Sequence, residues 1–210
     1  MATVRWLDDA DDATEDEQLQ GSSHVSRSML DRLLDDPDDV GAWSGLQEEY
    51  QRQATDWSAW ADTQPAYLRS VVEGLEHCDL GGLTVEVGAG TGQATGLLRE
   101  VCDRVVTSDL NLAMIALAPP ELAPRFVCDV RRLPLRDGAV DLLVGLNAVP
   151  HVAEFTRVLK PTGRILWCSS FGPHTPVYVE PDRLLEQLGE PWQGIAGRAG
   201  SGDWTVFYAE

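Results

Sequence analysis

Lysine is nearly absent from this 210-residue chain: Lys160 is the only one, and the other basic residues are arginines. Together the basic residues number 16 against 34 acidic ones, a formal net charge of −18. A field of that sign repels phosphate backbones and anionic membrane surfaces, so neither nucleic acid nor membrane is expected as a partner. A small-molecule substrate stays compatible with it, because a pocket can differ from the average surface. Cysteine is scarce as well. Cys78, Cys102, Cys128 and Cys168 form no C-x-x-C pair, and no Cys/His cluster has zinc spacing. Reduced thiols, at least two of them buried, are expected, and no metal. Also missing is any apolar run of about 18 residues or more, which argues against a spanning helix. The start, MATVRWLDDADDATEDEQ, lacks a basic segment followed by an apolar one. It does not read as a secretory signal, and a cytoplasmic location is expected.

At roughly 100–200 residues per domain, the length allows one domain with additions. Residues 1–22 are expected to be a disordered acidic tail, because Asp and Glu dominate residues 8–17 without apolar periodicity. Residues 23–80 read as a helical lid. VSRSMLDRLL has helical spacing, DDPDD breaks it, and Trp43, Leu46 and Tyr50 then recur at three- and four-residue steps. Trp57 and Trp60 follow. Asp62 or Thr63 is expected to cap the next helix, QPAYLRSVVEGL, with Pro65 in its first turn.

From residue 81 to 210 the texture changes to alternating strand and helix. LTVEVG, RVVTSD, RFVCD, AVDLLVGLN and RILWCSS read as strands. TGQATGLLREVC, LNLAMIALA, HVAEFTRVLK and PDRLLEQLG read as helices, with Pro-Thr-Gly turning the chain after HVAEFTRVLK. The end reads as a hairpin around Gly200, Ser201 and Gly202. Such alternation implies a doubly wound α/β fold, a parallel sheet covered on both faces and closed by an antiparallel edge.

The strongest chemical signal is VEVGAGTG, residues 85–92, where a strand turns into a helix. Ligands of doubly wound folds bind beyond the carboxyl ends of the strands. Nicotinamide enzymes use G-x-G-x-x-G to face a diphosphate. Here the third glycine, Gly92, comes one residue early, and Gln93 stands where that motif wants glycine. Glu86 adds a carboxylate just before the loop, which repels a diphosphate and suits a cationic ligand. Asp109 follows at the end of the second strand, 23 positions after Glu86. A carboxylate so placed accepts hydrogen bonds from ribose hydroxyls, or caps the helix that follows. Asp129, after RFVC, can accept from an adenine amino group while the Val130 N–H donates to a ring nitrogen; a plain loop aspartate is the alternative.

In series, VEVGAGTG, SDLNLAMI, CDVRRLPLRDGAVDLLV and RVLKPTGRILW resemble class I S-adenosylmethionine (SAM)-dependent methyltransferases of the small type 11 sort. The resemblance implies a Rossmann-like seven-stranded sheet with an antiparallel last strand. It implies SAM as cofactor and S-adenosylhomocysteine (SAH) as product. The loop of Gly88, Ala89, Gly90, Thr91 and Gly92 would line the amino-acid end of SAM, with Glu86 orienting the site. Asp109, with Leu110 beside it, would hold the ribose, Asp129 and Val130 the adenine, and Asn147 would border the methionine end. The run NAVPH, residues 147–151, departs from the His-rich or Asp-rich pattern of relatives, so the resemblance does not name a substrate. No N-P-P-[YF] motif appears, which argues against the amino-group methyltransferases that carry it.

Methyl transfer is an in-line displacement at an already activated carbon, so it needs positioning more than covalent chemistry. If a general base is used, His151 and His174 are the candidates, because they follow the fourth and fifth strands. Among the aromatic residues of the helical segment, Trp43, Tyr50, Trp57, Trp60 and Tyr67, docking onto the sheet is the ordinary role. Tyr50, Trp57 and Trp60 are the expected substrate contacts. Arg131 and Arg132 could meet an acidic substrate, although such a pair is more often solvated. The resulting expectation is an enzyme that methylates a small molecule. The alternative is a SAM-binding protein without methyl transfer, regulatory or catalysing a rearrangement.

Overall fold

Period-two patterning builds the sheet. In β2 (Leu83–Val87), Val85 and Val87 enter one apolar cluster, so Thr84 and Glu86 face the other way. In β5 (Val140–Leu146), Leu143 joins that first cluster, whereas Leu142, Val144 and Leu146 join a second. β6 (Leu159–Ser169) repeats the division, with Ile165 and Trp167 on one face and Leu166 and Cys168 on the other. Strands apolar on both faces belong at the centre of a covered parallel sheet.

The computed structural model describes residues 3–7, 24–64 and 66–209. The other strands are β1 (Arg5–Trp6), β3 (Arg104–Asp109), β4 (Arg125–Val127), β7 (Trp192–Ala199) and β8 (Gly202–Ala209). They lie in the order β1-β7-β8-β6-β5-β2-β3-β4. β8 runs antiparallel to both β6 and β7, and the remaining pairs are parallel. From β2 the chain moves outward to β3 and β4, then returns to β5 on the other side. The order therefore reverses between β2 and β5, the place where such sheets bind ligands. This is the doubly wound, Rossmann-like sheet with an antiparallel last strand, with one strand more than the seven expected.

The extra strand corrects the reading of the N-terminus. Residues 3–7 do not belong to a disordered tail: β1 pairs with β7, Arg5 opposite Ile195 and Trp6 opposite Ala196. Val4 is buried, packs where Gly194 has no side chain, and donates its N–H to Asp182 Oδ1 at 2.7 Å. One buried side chain, Val4, and the pairing with β7 thus set this segment apart from the acidic composition that follows. The acidic stretch itself, residues 8–23, lies outside the described residues, and so does Pro65.

The helices are α1 (Val25–Asp35), α2 (Val40–Asp62), α3 (Arg69–Leu75), α4 (Gln93–Val101), α5 (Leu112–Ile115), α6 (Val152–Val158) and α7 (Pro181–Leu188). α2 starts where Asp39 accepts from Ala42 N at 3.0 Å, and Arg32 of α1 pairs with the same carboxylate at 2.7 Å. Trp43, Leu46, Tyr50, Trp57 and Trp60 all ride on this one helix. Asp62 and Thr63 do not cap α3. They close α2: Thr63 has αR backbone, not the extended form of an N-cap, and its hydroxyl donates to Trp60 O at 2.7 Å. α3 begins after Leu68 without a side-chain cap. α5 is shorter than its apolar run because it stops at Ile115, ahead of the Pro119–Pro120 pair. The expected turn at Pro-Thr-Gly is instead an irregularity inside β6, where Leu159 pairs with Val140 and Arg164 with Leu142.

Both faces carry core. Leu30, Leu33 and Leu46 of the N-terminal helices pack with Phe155, Leu184 and Phe207 on one face. Val71, Leu75 and Leu98 pack with Leu166 and Trp204 on the other. Each such burial is worth about 1.5–3 kcal/mol. α1 is further tied to the region after β6, since Arg27 donates to Pro173, Thr175 and Tyr178 carbonyls at 2.6–2.9 Å. Among the described residues, no helix is long and apolar enough to cross a membrane. All four cysteines are free, Cys102 and Cys168 buried.

Candidate active site

The turn from β2 into α4 is bent by three glycines in the left-handed region, with φ of 66° at Gly88, 55° at Gly90 and 89° at Gly92. At Gly88 a side chain is also excluded by contact, because a Cβ would lie 2.8 Å from Ala148 Cβ. The loop is stitched to β3: Ala89 N donates to Ser108 O at 3.0 Å and Gly90 N to Asp109 Oδ2 at 2.8 Å. Asp109 Oδ1 accepts from Asn111 N at 2.7 Å. One carboxylate therefore fixes the shape of two loops. The cap of α5 is Asn111, not Asp109, and it accepts from Ala113 N and Met114 N.

Glu86 stands at the bottom of this bend, 2% exposed. Thr95, in the first turn of α4, donates to its Oε2 at 2.6 Å. Burial pushes the Glu86 carboxyl up to about 8, the Thr95 bond pulls it back only partly, and Asp109 adds to the rise. Burial likewise raises Asp109, against the two backbone N–H groups that lower it.

Above the loop opens a cavity of about 960 Å³, counting the part open to solvent. Glu86, Gly88, Ala89, Gly90, Asp109 and Leu110 line it, as do Val130 and Asn147. Among the described residues, no lysine, arginine or histidine does. Its two carboxyl groups are those of Glu86 and Asp109. Thr91 and Gly92 lie off the cavity: Thr91 is buried and bonds Gln93 Oε1 at 2.8 Å, and Gly92 precedes α4. Asp129 is also off the wall, clasped by Arg131 at 2.6 Å. Burial pushes the Asp129 carboxyl up, but the Arg131 bonds outweigh it and hold it below the usual range.

Asn147, just past β5, has a φ of 50°, a conformation that asparagine tolerates better than most residues. Its Nδ2 donates to Ser170 Oγ at 2.9 Å and to the Tyr67 hydroxyl at 3.2 Å, and its Oδ1 accepts from Ser170 N at 2.9 Å. Burial pushes the Tyr67 phenol up to about 12 despite those donors, so it stays protonated. Burial also drives Tyr50 upward.

α2 roofs the cavity. Tyr50 and Trp57 line it, with Trp43 and Tyr67; Trp60 does not, and packs behind Trp57 at 5.3 Å between ring centroids. Two polar contacts tie the roof to the floor: Asn111 Nδ2 donates to Gln47 O at 2.8 Å, and Gln93 Nε2 to Ser58 Oγ at 3.3 Å. Asn111 and Gln93 were passed over in the sequence. Asn111 carried a cap signal, an Asn just before an apolar run, but nothing in the sequence marked Gln93 as a contact between loop and roof. His151 and His174 are not on the cavity wall. His151 precedes α6, its Nδ1 buried with no partner among the described residues, and His174 is exposed in the 3-10 turn Gly172–His174.

Residues 85–167 match the family model described as "Methyltransferase domain". A curated relative, the malonyl-[acyl-carrier protein] O-methyltransferase of Marinomonas sp., is 29% identical over 175 residues, covering 68% of this chain and 64% of that protein. The tRNA (carboxymethyluridine(34)-5-O)-methyltransferase ALKBH8 of Macaca fascicularis is 25% identical over 135 residues, 59% of this chain and 20% of that protein. The chain thus spans less than two thirds of the length of either. Among solved structures, the DhpI–SAH complex shares the fold, with a TM-score of 0.61 at 19% identity over 78% of this chain and 94% of that one. The cavity suits the cofactor of that family: two carboxyl groups, with no cation among the described wall residues, accept hydrogen bonds from ammonium and hydroxyl donors and, when ionised, attract a positive sulfur and repel a diphosphate. Residues 85–167 thus carry a methyltransferase domain, and the order of the sheet with the glycine bend between β2 and α4 gives the chain the fold of the class I methyltransferases, whose cofactor is SAM.

Proposed function

We propose that this protein transfers the methyl group of SAM to a small-molecule acceptor held between the glycine bend and α2. The observation that carries the reading is the cavity at the reversal of strand order, walled by Glu86 and Asp109, with no lysine, arginine or histidine among its described wall residues, and roofed by α2. SAM supplies a methyl carbon already activated by its positive sulfur.

The chain's own residues then have to bind, orient and exclude water. Asp109 accepts one backbone N–H on each oxygen, and a carboxylate has about four lone-pair sites, so two remain for ribose hydroxyls. Leu110, Met114 and Val130 form an apolar slot for adenine, with Asp129 held at its edge by Arg131. A cationic ligand beside Glu86 favours the ionised form of its carboxyl, which then pairs with the cationic end of the cofactor, and Asn147 borders that end. Closing the roof over the loop excludes water and holds the nucleophile about 3–3.5 Å from the methyl carbon. A histidine base is not part of this reading, because neither candidate reaches the cavity wall. An acceptor of low charge and modest size suits a closed roof on a protein of net charge −18, and RNA does not.

The test supplies methyl-labelled SAM and a cell extract to the purified protein, then separates small molecules from RNA and protein. Label is expected in the small-molecule fraction. Label confined to RNA or protein contradicts the proposal, and so does SAM that binds without any transfer.

A further inference from the structure

We infer that the acceptor is a flat, non-anionic molecule, an aromatic amine or phenol, and that acceptors bearing a carboxylate or phosphoester are rejected by the cavity itself. The inference rests on the methyl-transfer reading above and narrows it. It comes from the wall left over once the glycine bend and its two carboxylates are assigned to the cofactor.

That wall is aromatic and braced. Trp43, Tyr50, Trp57 and Tyr67 face the cavity. Tyr50 meets Trp57 edge-on at 5.6 Å, and Trp57 leans on Trp60 at 5.3 Å. Trp60 in turn meets Tyr67 at 6.0 Å and Phe171 at 6.1 Å. Rings supported in a chain keep their faces and edges fixed, which favours a flat ligand over a flexible one. Val149 and Val177 extend the apolar surface.

The polar handles on that wall carry no charge. Tyr67 stays a phenol, and its oxygen already accepts from Asn147. Asn147 is pinned by Ser170 through both ends of its amide. Such groups recognise a hydroxyl or an amine. An anion would need a cation, and the arginines near the walls are committed elsewhere. Arg131 lies 5.3 Å from the centre of the Trp43 ring but is neutralised by Asp129. Arg27, beside the Val177 segment, donates through its two Nη groups to three backbone carbonyls and, although its buried Nε has no partner among the described residues, it does not line the cavity. A carboxylate in this cavity would be desolvated and would meet no cation among the described wall residues. An ammonium or a neutral ring would find aromatic faces, a favourable setting for either.

Calorimetry on the full chain tests this in two steps. SAH is titrated first; absence of SAH binding overturns the methyltransferase reading itself. The SAH-loaded protein is then titrated with three probes of one shape: tryptamine, indole-3-acetamide and indole-3-acetate. Tryptamine or the amide is expected to bind at least ~tenfold more tightly than the acetate, a difference of about 1.4 kcal/mol. Gln47→Arg places a cation at an exposed position on the cavity wall and is expected to shrink that preference at least ~threefold, as a cation supplies the missing partner. With SAH bound, equal or tighter binding of the acetate overturns the inference, as does failure of all three probes to bind or a preference that Gln47→Arg leaves unchanged.

Discussion

The Thr95 hydroxyl donates to Glu86 Oε2 at 2.6 Å, joining the first turn of α4 to the next-to-last residue of β2. It is a hydrogen bond that favours the ionised form of a carboxyl that burial nevertheless pushes up to about 8. Removing the donor with Thr95→Val should move the Glu86 carboxyl higher still. At pH 7 more of it is then protonated, and the attraction for a cationic ligand weakens. SAM affinity is expected to fall roughly tenfold or more at pH 7, because a hydrogen bond to a charged group is worth about 1.5–3 kcal/mol. Most of the loss should be recovered at pH 9, where the carboxyl ionises anyway. Equal loss at both pH values would show that Thr95 acts by packing alone.

The same carboxyl links folding to pH. In the unfolded chain Glu86 ionises near its ordinary 4.5, and in the folded protein near 8. Between those values the unfolded state has released a proton that the folded state keeps, so this group makes stability fall as pH rises. Glu86→Gln removes the effect. Without ligand, the melting temperature of the variant relative to the original protein should therefore climb from pH 5 to pH 8. A difference that stays constant across that range would mean that Glu86 is ionised in the fold.

Asp109 serves two loops at once, so its loss should show in two measurements. Asp109→Ala leaves the N–H groups of Gly90 and Asn111 without their acceptor and removes the ribose contact. SAM affinity should drop roughly tenfold or more, and the melting temperature should drop with it. Unchanged affinity would place the ribose elsewhere.

Gly88 and Gly138 separate crowding from backbone strain. Both have positive φ, 66° and 60°, but an added Cβ at Gly138 meets nothing within 4 Å, whereas at Gly88 it meets Ala148 at 2.8 Å. Gly138→Ala should cost about 1–2 kcal/mol from conformation alone. Gly88→Ala should cost a further 1–3 kcal/mol, roughly the penalty for overpacking, and should distort the bend that SAM occupies. Denaturant unfolding with both variants reads the difference; equal costs would mean that Ala148 yields freely.

Local chemistry was legible in the sequence where it was dense. The bend at residues 85–92 and the closing hairpin combined glycine placement with strand-like runs, and RVVTSD was marked by its β-branched residues; β3 covers Arg104–Asp109, the run read as a strand. What escaped depends on distant partners. Arg5 and Trp6 read as part of an acidic tail because their strand partner, β7, lies almost 190 positions away. Thr63 read as a helix start because Thr favours N-caps, yet the continuing αR backbone of α2 overrode the propensity. His151 and His174 followed strand ends in the sequence, but position along the chain does not say whether a side chain turns toward the cavity. Gln93 was noted only as the residue that spoils a nicotinamide motif; its contact with Ser58 needs α2 to lie across the sheet, which no local pattern states.

The central claim is that the bend between β2 and α4 holds a cationic nucleoside without phosphate. Calorimetry of the purified protein with SAM and with NAD, side by side at pH 8, tests it most directly. The account predicts saturable binding of SAM and none of NAD. Binding of NAD in place of SAM would contradict it.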